Sequence, residues 1–195
     1  MNIRDWSSDV CSSDLALAGC QGRLAAIDVA GETRRYAVHV PANLPDTPVP
    51  LLLALHQFTD TAQGMRRLTG FDAIADEEGF IVAYPQGIRR GWNSGPGGTP
   101  DDVAFLEALA AQLQARYAID PDRIYATGLS AGGMMSQWLA CESELLAAIA
   151  PVAGTLPTPS ADACARTRPV PALFIHGTED SIVPFGGGNA GPADG

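Results

Sequence analysis

Polar and apolar residues alternate over residues 34–40 (RRYAVHV), the period-two pattern of a strand with one covered face. Residues 51–55 (LLLAL) and 80–84 (FIVAY) are instead short continuous apolar runs, as expected of strands covered on both faces. Between them, residues 65–78 carry Leu68, Phe71, Ile74 and Ala75 at helical spacing and run into Gly79, which predicts one helix and a strand–helix–strand unit. Farther along, Leu106, Leu109, Ala110, Leu113 and Tyr117 lay one apolar stripe along a helix over 102–117. The rest reads as strand 123–127 (RIYAT), helix 131–141, strand 146–152 (LAAIAPV) and strand 172–176 (ALFIH). This alternation predicts an α/β fold, with a mostly parallel sheet, mixed at its edge, and helices on both faces.

Composition narrows the class. With 46% hydrophobic residues the chain can bury a core, while 21 Gly and 15 Pro break it often into turns, which excludes a coiled coil or a disordered tail. Lys and Arg number 12 against 22 Asp and Glu, a net charge of −10, so no nucleic-acid partner is expected. The longest apolar run, residues 49–55, contains Pro50 and is far shorter than the roughly 18 residues that span a bilayer, so no transmembrane segment is expected.

The expected domain covers residues 24–195, with 1–23 set apart. Residues 5–15 (DWSSDVCSSDL) have no apolar period and read as an adapter-derived artefact. Residues 17–20 (LAGC) read either as the remnant of an export leader of lipoprotein type, with Cys20 as a lipid anchor, or as a chance Ala/Gly stretch. Setting Cys11 and Cys20 aside leaves Cys141 and Cys164, either a disulfide or two buried thiols. A disulfide would close a loop of about 24 residues, worth roughly 3 kcal/mol, and would place the protein outside the reducing cytosol, extracellular or periplasmic. No CxxC or HExxH spacing occurs, and no metal is expected.

The chemistry lies in Gly128-Leu129-Ser130-Ala131-Gly132, a G-x-S-x-G between a predicted strand and a predicted helix. A serine hydroxyl is a poor nucleophile, so it needs a tight turn that exposes it to a base and to an incoming carbonyl carbon. The N–H of Ala131, at the positive end of the following helix, is the natural first oxyanion donor. The loop directly after strand 51–55 supplies the second, through the N–H of Gln57 or Phe58; one such donor is worth roughly 3 kcal/mol in the transition state. The order of parts in such a fold is Ser, then an acid after a later strand, then His. Asp180, in His176-Gly177-Thr178-Glu179-Asp180, is the candidate acid, with Glu179 its rival and turn-capping its structural alternative. His56 and His176 read as braces of their loops. No His follows Asp180, so the base and the last strand and helix that present it are expected to lie beyond residue 195, leaving this fragment inactive by itself.

Seven segments carry a resemblance over roughly residues 24–187: 54–62 (ALHQFTDTA), 79–87 (GFIVAYPQG), 92–95 (WNSG), 101–109 (DDVAFLEAL), 119–141 (IDPDRIYATGLSAGGMMSQWLAC), 150–154 (APVAG) and 174–185 (FIHGTEDSIVPF). The chain resembles the secreted esterase family of polyhydroxybutyrate depolymerases and feruloyl or acetyl-xylan esterases. The resemblance implies an α/β-hydrolase fold, Ser130 as nucleophile, Asp180 as acid, a Cys141–Cys164 pairing and no cofactor. It also implies an ester substrate, either a polyhydroxyalkanoate or a plant cell-wall ester. Relatives usually carry His-Gly in the oxyanion loop where this chain has His56-Gln57.

Other roles remain open on the residues alone. Trp92 and Asn93 form either a wall of the ester cleft or, respectively, core and turn. Asp101 and Asp102 read as N-terminal caps rather than as an acid/base pair. The competing functional class is a noncatalytic carbohydrate- or polymer-binding relative that lacks the catalytic His, and a serine peptidase on the same fold is a third.

Overall fold

The computed structural model describes residues 24–164 and 169–188. The readings made for residues 5–15, Cys11, 17–20 and Cys20 lie outside them. Among the described residues, six strands form one sheet: β1 (Ala25–Val29), β2 (Glu32–His39), β3 (Val49–Leu55), β4 (Ile81–Gln86), β5 (Ile119–Leu129) and β6 (Ala148–Val152), in the spatial order β1-β2-β4-β3-β5-β6. The pairs β1/β2 and β2/β4 are antiparallel, and the pairs from β4 through β3 and β5 to β6 are parallel. The sheet is thus mixed at one edge and parallel inside, as the strand patterns predict. Segment 172–176 continues it beyond β6: Leu173 N–H donates to Ile149 O (3.0 Å) and Ile175 N–H to Pro151 O (3.1 Å), while Ala153 N–H donates to Ile175 O (2.8 Å). Its Leu173, Phe174 and Ile175 side chains are exposed.

Helices cover both faces because each inner strand is apolar on both. Leu51, Leu53, Leu55, Ile81 and Ala83 pack beneath α3 (Asp102–Arg116) and α4 (Ala131–Glu142), against Phe105, Leu106, Leu109, Met135 and Leu139. Their opposite-phase neighbours Ala54, Val82 and Tyr84 pack with Ala62, Met65 and Ala75 of α1 (Ala62–Thr69) and α2 (Phe71–Glu78).

The single helix predicted over 65–78 is therefore two. Thr61 caps α1 by accepting from Gly64 N–H (3.0 Å), and Gly70, at φ 61°, ends α1 and opens α2. The break changes the helical phase, so Leu68 and Ile74, counted on the buried stripe, are exposed, while Ala62 and Met65 face the sheet. Further elements escape the pattern: β1, joined to β2 through Ala30-Gly31, both at positive φ, the 3-10 turn Ile88–Arg90 after β4, and the short α5 (Thr158–Ala163). Among the described residues no helix is long and apolar enough to cross a membrane.

Candidate active site

Strand β5 ends at Leu129 and α4 begins at Ala131, so Ser130 alone makes the turn, at φ 52° and ψ −115°. An L-residue avoids this region at a cost of about 1–3 kcal/mol. The turn is held at both peptide groups: Ser130 N–H donates to Val152 O (2.8 Å) and Ser130 O accepts from Met134 N–H (2.9 Å). Glycine is required beside it by close approach. A Cβ on Gly132 would lie 2.2 Å from Leu55 O and 2.8 Å from His56 O, and one on Gly128 would lie 2.3 Å from the carbonyl carbon of Gly132. The first turn of α4 therefore sits directly on the end of β3, with Ala131 N–H among the helix's unpaired leading donors.

The loop that follows β3 is organised by His56, which is fully buried. Its Nδ1 pairs with Gln57 O (2.8 Å), and its Nε2 faces two donors, Gly87 N–H (3.0 Å) and the Gln86 side-chain amide (3.1 Å). That set requires the neutral ring with the proton on Nδ1, since a second proton on Nε2 would point at both donors. Burial pushes the imidazole pKa below its ordinary value, in the same direction. His56 is thus a brace of this loop, not a proton acceptor for Ser130. The Gln57 carbonyl is used by the turn, accepting also from Asp60 N–H (3.1 Å), while Phe58 is 65% exposed with its ring against Gly91.

Trp92 and Asn93 line a cleft of about 320 Å³ together with Phe58, Ile88 and Pro100. Both are half-buried and both are anchored. Trp92 Nε1–H donates to His56 O (2.8 Å) with the two rings 4.9 Å apart. Asn93 N–H donates to Asp102 Oδ2 (2.6 Å) and its side-chain amide to Pro100 O (3.1 Å). The next residue is held from the other side, Ser94 O accepting from Ser160 Oγ (2.6 Å) on α5. Here the structure corrects the sequence reading of the two aspartates. Asp101 does cap α3, accepting from Ala104 N–H (2.9 Å), but Asp102 turns inward, buried, and its other oxygen pairs with Arg34. Desolvation raises its carboxyl above the ordinary carboxylate range, against the opposing pull of the Asn93 amide and the guanidinium.

Segment 172–176 delivers the 176–180 loop to the same edge of the sheet. Leu129 lies opposite Val152, and Val152 opposite Ile175, so Ser130 and His176 leave the sheet two strands apart, about 10 Å at the usual strand spacing. Asp180 Oδ1 accepts from Ile182 and Val183 N–H (both 2.9 Å), and Oδ2 lies 3.5 Å from His176 Nε2. These N–H donors, with a smaller contribution from His176, hold the Asp180 carboxyl below its ordinary pKa. His176 Nε2 lies 2.7 Å from Val183 O, and Glu179 is exposed. The third histidine, His39, is bound to Asp76 (2.7 Å) at the opposite end of β2. Among the described residues, none of His39, His56 and His176 is hydrogen-bonded to Ser130.

Cys141 and Cys164 form a disulfide (Cα–Cα 5.2 Å) that ties the end of α4 to the end of α5, the helix that braces Ser94. Arg34, Gln86 and Ser160 are the supporting residues that the sequence reading misses. Arg34 alone leaves a signal: it shares the inward phase of Tyr36 and Val38, and a cation at a buried phase needs a buried anion.

The model of the prolyl oligopeptidase family matches residues 93–162. The chain is 41% identical over 175 residues to NocK of Nocardia uniformis subsp. tsuyamanensis, named as an esterase, covering 85% of this chain and 51% of that protein. It is 34% identical over 164 residues to feruloyl esterase B of Piromyces equi (80% and 31%) and 34% identical over 127 residues to poly(3-hydroxyalkanoate) depolymerase C of Paucimonas lemoignei (60% and 30%). The chain thus spans about half or less of these relatives' length. Among solved structures, an acetyl xylan esterase from Aspergillus awamori superposes with a TM-score of 0.59 at 24% identity, covering 69% of this chain and 53% of that one, which shows the fold.

Proposed function

We propose that the full-length protein is a member of the esterase family of the feruloyl esterases, acetylxylan esterases and polyhydroxyalkanoate depolymerases to which this chain is similar, and that it hydrolyses carboxylic esters through an acyl-enzyme on Ser130. The observation that carries this reading is the strained Ser130 turn, seated by Gly128 and Gly132 at the edge of the sheet to which the Asp180 loop is also delivered. In this mechanism Ser130 Oγ bonds to the ester carbon as its proton passes to a histidine. The oxyanion is held by Ala131 N–H and an N–H of Gln57 or Phe58. The tetrahedral adduct then expels the alcohol, which takes that proton, and water releases the acid by the same steps in reverse. Asp180 orients the imidazole through Oδ2, the oxygen its own turn leaves unused. His39, His56 and His176 are each engaged elsewhere, so the reading assigns the base to a histidine outside this sequence.

The cleft beside Trp92 and Asn93 takes the acyl group, a hydroxyacyl unit or an aromatic acid. The Cys141–Cys164 disulfide supports an exported protein, extracellular or periplasmic, with Cys20 as the proposed lipid attachment point. The full-length protein is expected to hydrolyse 4-nitrophenyl butyrate, and Ser130→Ala to reduce kcat at least a thousandfold. Undiminished turnover in that variant refutes the mechanism. Polyhydroxybutyrate, methyl ferulate and acetylated xylan, compared at equal enzyme, distinguish the acyl groups. Retained polymer binding with no turnover of any ester would favour the noncatalytic relative instead, and cleavage of a prolyl nitroanilide would favour a peptidase.

A further inference from the structure

The Arg34–Asp102 ion pair lies in the core beneath the cleft, and both side chains are almost completely buried. The Arg34 guanidinium also stacks over the Phe105 ring, 3.9 Å from its centroid, while its Nε–H is buried with no hydrogen-bond acceptor among the described residues. As a source of stability such a pair is a poor choice, because desolvation offsets most of the attraction and an apolar pair of similar volume packs as well or better. Its geometry suggests another use. Asp102 does not cap its own helix, since Asp101 does that, and spends its second oxygen on the backbone N–H of Asn93. The residue before it, Trp92, donates through its indole to His56 O, the same carbonyl that lies 2.8 Å from the position of a Cβ on Gly132. A continuous chain of contacts therefore runs from β2 through α3 and the cleft loop to the turn that carries Ser130.

Building on the esterase reading, we propose that Asp102, held by Arg34, is a positioning residue for the active site: by fixing the Asn93 amide it sets the Trp92 indole against His56 O, and so sets the oxyanion loop relative to Ser130. Arg34 balances the buried charge of the carboxylate, Asp102 holds the cleft loop through its acceptor oxygen, and Trp92 transmits that placement to the loop that the esterase reading assigns to the oxyanion. The effect falls on the chemical step, because a donor displaced by a fraction of an ångström loses transition-state stabilisation while a small ester still binds.

Two double variants of the full-length protein separate positioning from stability. Arg34→Met with Asp102→Asn removes both charges but keeps a carbonyl able to accept from Asn93 N–H. Arg34→Met with Asp102→Leu removes the charges and the acceptor. Both are expected to fold with similar Tm. With 4-nitrophenyl acetate the Asn variant should retain kcat within about threefold, and the Leu variant should lose about tenfold or more in kcat with KM nearly unchanged, a part of the hundredfold or more that a whole oxyanion donor is worth. The Trp92 indole N–H resonance, assigned with Trp92→Phe, should hold its position in the Asn variant and move in the Leu variant. Equal kcat in the two variants, or losses that follow Tm alone, would overturn the proposal, as would an unmoved indole resonance in the Leu variant. If the unmodified protein hydrolyses no ester, the esterase reading is what fails, and the indole resonance still decides whether Asp102 places the loop.

Discussion

Replacing Ser130 by glycine should stabilise this chain, whereas replacing it by alanine should not. The backbone at Ser130 (φ 52°, ψ −115°) lies where any Cβ is strained, at a cost of about 1–3 kcal/mol. Alanine removes the hydroxyl but keeps the Cβ, and the hydroxyl has no hydrogen bond within the described structure, so Ser130→Ala should stay within about 0.5 kcal/mol of the parent. Glycine removes the strain and gives back about 0.5–1 kcal/mol through the larger freedom of the unfolded chain. The net gain is about 1 kcal/mol. With an m-value of about 2 kcal/mol/M in urea, the midpoint should rise by about 0.5 M for Ser130→Gly and stay within about 0.25 M for Ser130→Ala. Far-UV circular dichroism with the disulfide intact measures both. A Ser130→Gly midpoint at or below that of Ser130→Ala would refute the reasoning, because the turn would then cost nothing to hold.

The sign is reversed at Gly132, where alanine should gain about 1 kcal/mol in helix propensity but force apart backbone only 2.2 Å from its Cβ; the net loss is about 2 kcal/mol by urea titration, while Gly186→Ala, with open space around it, changes little. Cys164→Ser should lower stability by about 3 kcal/mol and erase the difference in Tm that a reductant produces in the parent chain. His56 has a folded pKa below that of the unfolded chain, near 6.5, so the unfolded state takes up the proton first and stability should fall as the pH drops below about 6.5. In His56→Gln, stability measured from pH 7.5 to 5.5 should show a shallower slope, and an unchanged slope would contradict a neutral buried ring.

The parts of this protein legible in its sequence are those whose physics is local. Two-sided apolar runs announce β3 and β4 because a strand repeats its chemistry every second residue, and the stripe of α3 announces itself at 3.6. The Ser130 turn can be read because its requirements, two glycines and a strand passing into a helix, fit within a few neighbouring residues. Local signals fail where a single backbone angle resets the phase, as at Gly70, which splits one apparent helix in two and turns Leu68 outward.

Only the tertiary structure decides what depends on partners far apart in the chain. Arg34 meets Asp102 across 68 residues, and Trp92 meets His56 across 36. Whether an aspartate at a helix start caps its own helix or anchors a distant loop depends on which strand the sheet register carries past it. Asp101 and Asp102, adjacent and chemically identical, therefore end in opposite roles, one facing solvent and one the core, because consecutive residues at a helix start point about 100° apart and only one of those directions meets a buried cation.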